Sequence, residues 1–126
     1  ETWYARPDAG ALLSSPADEE AVEPHDAWAD DMVLAEGLAR YQEMVAVELT
    51  KPIATWAGLR SFAPDRTLVL GPDPTEPDFI WCAGQGGYGF QTCAAASQLV
   101  ADLTLGKTPS MNAEAVAALR PDRLRA

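Results

Sequence analysis

Asp78-Phe79-Ile80-Trp81-Cys82-Ala83, then Gly84-Gln85-Gly86-Gly87-Tyr88-Gly89, then Phe90-Gln91-Thr92 set the architecture of this chain. The first six residues place aromatic and β-branched side chains after a turn and predict a strand. The glycines predict a sharp turn, and the apolar, small-residue run from about Tyr88 to Leu105 predicts a helix. Gly84, Gly86 and Gly89 spell GxGxxG, the pattern of a dinucleotide-binding turn. That pattern should open a βαβ unit whose second strand ends in an acidic residue about 20 residues on. Here the helix is followed by Gly106-Lys107-Thr108-Pro109 and an Ala-rich tail with no strand pattern. The unit stops after one helix, so the dinucleotide reading is rejected.

The physics of the turn remains. Glycines let a backbone approach a ligand closely, and the free N–H groups of a helix start carry partial positive charge. Such a place suits a phosphate, a carboxylate, or a flavin ring that becomes negative on reduction. A tight structural connection beneath Ala94, Ala95 and Ala96 accounts for the same glycines, and both readings stand on local sequence.

Upstream, Ile53 to Phe62 reads as a strand. With a period of two, Ala54, Trp56, Gly58, Arg60 and Phe62 share one face. A guanidinium can hold a carboxylate through two parallel hydrogen bonds, which makes Arg60 a candidate ligand-binding residue. Gly58 removes a side chain from the space beside it. A lone strand arginine also serves as a surface or structural ion pair, and that alternative stands.

The remaining elements follow from turn and cap chemistry. Trp3 to Arg6, Pro7-Asp8-Ala9-Gly10 and Ala11 to Ser15 read as strand, turn and strand. Residues 16–29 read as a polar loop. A helix starts at about Asp31, capped by Asp30 or Asp31, with Leu34, Leu38, Tyr41 and Val45 on one face. Lys51-Pro52 breaks the chain. A short strand around Thr67 to Leu70 and a Pro-rich turn (Pro72, Pro74, Pro77) precede Asp78, and the tail holds one short helix near Ala113 to Leu119. The sum is α+β, mainly antiparallel strands with two main helices.

Composition narrows the function classes. The 126 residues suffice for one domain with a modest core, and 48% are hydrophobic, as in a folded protein. No apolar run reaches membrane-spanning length and no signal-peptide pattern opens the chain, while the reading of the two cysteines as unbridged makes a reducing, cytoplasmic setting the default expectation. The chain opens at Glu1, without Met, in strand material, and is expected to be a piece of a longer protein. Its net charge of −10 argues against nucleic acid and anionic membranes as partners. The acidic run from Asp18 to Asp31 reads as a solvated loop leading into a helix, and nothing around it has metal-ligand spacing. Cys82 and Cys93 read as buried small hydrophobes without a disulfide. His25, the only histidine, lies in the acidic loop, so no His-based catalytic dyad is expected.

Taken in order, Trp56-Ala57-Gly58-Leu59-Arg60-Ser61-Phe62, Asp65, Val69 to Gly71, and Trp81 through Thr92 resemble the C-terminal signature of the D-amino-acid oxidase superfamily. Trp3 to Gly10 and Ser14 to Glu19 also resemble that group, most closely its flavin-dependent D-amino-acid and D-arginine dehydrogenases. The resemblance reaches Gly106 and is lost in the tail. It implies that Arg60 pairs with a substrate carboxylate and that Tyr4 assists through its hydroxyl. It implies that the carbonyls of Gly58 and Gly87 approach the substrate amine. Gly86, Gly87, Tyr88, Gly89, Phe90 and Gln91 would lie against the pyrimidine end of FAD. It implies residues 1–77 as the later part of a substrate domain, 78–106 as a strand–turn–helix returning to the FAD-binding domain, and 107–126 as a tail.

The expected activity is oxidation of a D-amino acid or related amine to the imino acid, with no catalytic acid or base and no metal from this chain. A sarcosine- or glycine-oxidising enzyme is the near alternative, and a non-catalytic small α+β domain the distant one. Because the family's N-terminal FAD-binding part is missing, the isolated chain is expected to be inactive, free of FAD, and able to form a homodimer.

Overall fold

Tyr4–Asp8 (β1) and Ala11–Ser15 (β2) pair antiparallel, with Tyr4 opposite Ser15 and Asp8 opposite Ala11. The sequence suggests a four-residue turn, but in this computed structural model, which describes residues 3–125, Pro7 and Asp8 stay in the strand. Only Ala9 and Gly10 turn, with φ of 46° and 82°. Two residues at positive φ form the hairpin turn whose twist matches that of the flanking strands. The described residues fall into two units that meet in sequence at Leu59 and Arg60.

In the first unit, the helix α1 (Asp31–Met44) starts where the cap chemistry requires. Asp30 Oδ1 accepts the N–H of Met32 at 2.8 Å and of Val33 at 3.0 Å. Gly37 and Tyr41 are buried, flanked by the half-buried Leu34 and Leu38. A Cβ at position 37 would lie 2.6 Å from Pro16 Cβ, so the missing side chain lets α1 press onto the chain leaving β2. Trp3 meets Tyr41 edge-on at 5.0 Å. Val45 ends the helix in extended backbone instead of continuing its face. The Gln42 side chain gathers the next residues, donating to Val47 O at 2.9 Å and accepting from Leu49 N at 2.9 Å.

The strand expected from Ile53 to Phe62 does not form. A strand is completed by a ladder partner, and among the described residues β1 and β2 pair only with each other, as do the two later strands. The segment is irregular, and Ile53 and Trp56 stand exposed.

In the second unit, Val69–Pro72 (β3) pairs antiparallel with Ile80–Ala83 (β4), Val69 opposite Ala83 and Pro72 opposite Ile80. The first of these strands begins later than the expected Thr67. Leu70, Ala96 and Leu99 form the core, with Leu68, Val100, Leu103, Met111, Val116 and Leu119 packed around them. These bring together β3, the helix α2 (Gly89–Thr104) and the short helix α3 (Ala113–Leu119). Asn112 caps the last, accepting Ala115 N at 2.8 Å. Cys82 and Cys93 are free, as expected, but exposed instead of buried. Cys93 lies one turn before Ala96, where the packed stripe of α2 ends. Among the described residues, the three α-helices and two small antiparallel sheets make the α+β arrangement that the sequence indicates.

Two aspartates organise the loops. Asp73 accepts Thr75 N, Thr75 Oγ1, Glu76 N and Trp81 Nε1, at 2.8, 2.8, 3.2 and 3.0 Å. These donors, the Trp81 indole foremost, hold its carboxyl well below the usual range. Asp65 is clasped by Arg123, which lies in the 3-10 turn Pro121–Leu124 and donates to both carboxylate oxygens at 2.7 and 3.1 Å. That pairing lowers the Asp65 carboxyl to about 2. A carboxyl whose folded pKa is depressed contributes stability that is present above its unfolded value and lost as pH falls through the folded one. Asp65→Asn should therefore flatten the loss of thermal stability between about pH 4 and pH 2, read from unfolding midpoints across that window. An acid limb identical to that of the parent protein would show that the clasp contributes nothing to pH dependence.

Candidate functional site

Gly86 has φ of 50°, in the left-handed region, and a Cβ there would lie 2.5 Å from Phe62 Cε1. The Phe62 ring thus fills the space a side chain would need, and the Gly86 N–H donates to Ser61 O at 2.9 Å. These two contacts fasten residues 61 and 62 to the turn after β4. Two guanidiniums lie over the same ring, Arg66 at 4.5 Å and Arg60 at 5.6 Å from its centroid. Arg60 Nη1 stands 3.3 Å from where a Gly87 Cβ would be. Arg60, Gly86 and Gly87, separated in sequence, are neighbours.

The start of α2 faces outward beside them. Tyr88 is its N-cap residue and no side chain caps the helix. The N–H groups of Gly89, Phe90 and Gln91 have no acceptor within the helix, as at every helix start. Gly87, Tyr88, Phe90 and Gln91 are exposed, Phe90 at 97%. A Cβ on Gly89 would stand 3.3 Å from Gln85 Cβ, so that glycine also admits a close neighbour. Thr92 Oγ1 donates to Tyr88 O at 2.8 Å and steadies the first turn. The arrangement offers a cation and several outward N–H groups, the equipment for an anionic or electron-rich ligand.

Tyr4 and Gly58 belong to the first unit. Tyr4 sits in β1 opposite Ser15, half exposed. Gly58 lies in the irregular segment with open space where its Cβ would be, so its expected place on a strand face beside Arg60 does not hold. Phe62 and Arg66 are the residues that sequence reasoning passed over. Their signal was an aromatic with arginines two residues before and four after. Among the described residues no cluster of three metal-ligating groups exists, and no helix is long and apolar enough to cross a membrane.

The glycines at 86 and 87 make separable predictions. Gly86→Ala should destabilise the fold by about 1–2 kcal/mol from backbone strain alone, and more from the collision with Phe62. Gly87→Ala should leave the thermal midpoint nearly unchanged, since the atom it meets is the end of a flexible side chain. Equal losses of stability in the two variants would contradict this division. A family model described as FAD dependent oxidoreductase matches residues 1–103.

Proposed function

Because the chain belongs to the family of FAD-dependent oxidoreductases, we propose that it is the C-terminal part of a flavoenzyme that oxidises a D-amino acid or related amine. Membership implies FAD and oxidoreductase chemistry in the full-length protein. The observation that carries the finer reading is the Arg60 guanidinium beside Gly87 at the uncapped start of α2. A substrate carboxylate needs a fixed cation, and an electron-rich ring edge needs N–H donors with no side chain in the way.

The residues present fit FAD on those grounds. Gly86, Gly87, Tyr88, Gly89, Phe90 and Gln91 would hold one end of it, and the bare helix start would favour negative charge there. FAD, when bound, supplies the acceptor for the hydride that leaves the substrate α-carbon. Arg60 holds the carboxylate and so fixes which face of the α-carbon is presented. Tyr4 adds a hydroxyl donor, and the carbonyls of Gly58 and Gly87 accept from the amine; these three roles rest on the family resemblance. The substrate amine releases its own proton, so no acid or base from this chain is required. The imino acid then hydrolyses to the 2-oxo acid.

In this reading residues 1–77 continue a substrate domain, 78–106 return to the FAD-binding domain, and 107–126 form a tail. The adenine and pyrophosphate would be held by a part outside these residues. Large apolar side chains such as Trp28, Ile53 and Phe90 are bare, which supports burial against that part, or against a second copy when the chain is alone. A cytoplasmic setting accords with the two free cysteines.

The test is Arg60→Ala in the FAD-loaded full-length protein, assayed against D-amino acids alongside glycine and sarcosine. Loss of a two-bond carboxylate contact should raise KM roughly 30-fold or more while FAD stays bound. An unchanged KM for every substrate would remove Arg60 from the site.

A further inference from the structure

Arg123 lies outside the residues matched by the family model, in a tail whose sequence pattern suggests little beyond a short helix. Its side chain is nevertheless only 15% exposed. It donates to both carboxylate oxygens of Asp65, to Thr67 O at 2.8 Å and to Arg120 O at 2.9 Å. Four charge-assisted bonds from one guanidinium fix the turn from Ala63 to Thr67 against the end of the chain.

That turn contains a residue in a backbone conformation that costs energy. Arg66 has φ of 61°, the left-handed region, without being glycine. Its N–H closes the turn on Ala63 O at 2.8 Å, and Asp65 accepts Thr67 N at 3.1 Å on the other side. A strained backbone of this kind persists where surrounding contacts over-determine it, and Arg123 supplies contacts from outside the turn. From the turn the linkage runs to the site. The Arg66 guanidinium covers the Phe62 ring, the ring fills the space at Gly86, and Arg60 lies over the same ring.

We propose that Arg123 is a positioning residue for the Arg60 site. By clasping Asp65 and Thr67 it holds Arg66 in its left-handed turn, and through Phe62 it sets where the Arg60 guanidinium stands. This rests on the reading of Arg60 as the carboxylate-binding residue. Arg123 does not touch substrate; it acts through a segment that does, and a displacement of about 1 Å in an orienting group can cost up to 100-fold in rate. The tail beyond the family match is thereby a part of the binding site's support.

The experiment is steady-state kinetics on the FAD-loaded full-length protein with Arg123→Ala, Arg123→Lys and Asp65→Asn, beside Arg60→Ala as a reference. Arg123→Ala should raise KM about 5- to 20-fold with kcat within threefold and FAD content unchanged. Arg123→Lys, which keeps the charge but not the fork, should fall between it and the parent protein. Wild-type KM in Arg123→Ala, while Arg60→Ala raises KM, overturns the positioning role and leaves the site reading intact. Wild-type KM in Arg60→Ala as well overturns the site reading itself. Should Arg123→Ala fail to fold, Asp65→Asn decides the question from the other end of the clasp. A raised KM there supports the role, and a wild-type KM sinks it.

Discussion

The ring of Phe62 stands where any side chain at position 86 would stand, and the candidate site depends on that exclusion. Because Gly86 is bare and left-handed, residues 60–62 can lie against the turn after β4, bonded through Ser61 O. Because they lie there, Arg60 reaches the space left open at Gly87, next to a helix start with no side-chain cap. One missing Cβ thus joins a conformational property of the backbone to the placement of a cation. The glycines of this turn are therefore not interchangeable. One is needed by the fold, and another leaves room for what the fold presents.

The same region shows how charge is managed in an acidic chain. With a net charge of −10, this chain gives anions no long-range attraction. Local arrangement has to supply it. Arg60 and Arg66 both lie over the ring of Phe62, a surface that attracts cations. Arg123 and Arg125 pair with aspartates, Asp65 and Asp73.

Much of the fold was legible because it rests on local rules. The Asp30 cap, the hairpin at Ala9 and Gly10, the start of α2 after the glycine run and the short helix from Ala113 to Leu119 each follow from a few neighbouring residues. Ile53 to Phe62 misled for the opposite reason. Alternation describes which faces a strand would have, but not whether a partner exists to complete its ladder. Cys82 and Cys93 were misplaced because residue type predicts burial on average, whereas the packed stripe of α2 ends at Ala96. At the candidate site, the resemblance drew attention to Arg60 and the glycines. Phe62 as the link between them, and Arg123 some 58 residues from Asp65, were not, because no local pattern marks a contact between distant segments.

The central claim is that Arg60 and the turn at Gly86 and Gly87 form one carboxylate site beside the flavin. The most direct measurement is titration of the oxidised, FAD-loaded full-length protein with a simple carboxylate inhibitor that lacks an amine, followed by the visible flavin spectrum. The account predicts a saturable spectral change in the parent protein, and binding weakened at least tenfold in Arg60→Lys, where a point charge replaces the two-bond fork. Equal affinity in both proteins, or no spectral response to the carboxylate in either, would contradict it.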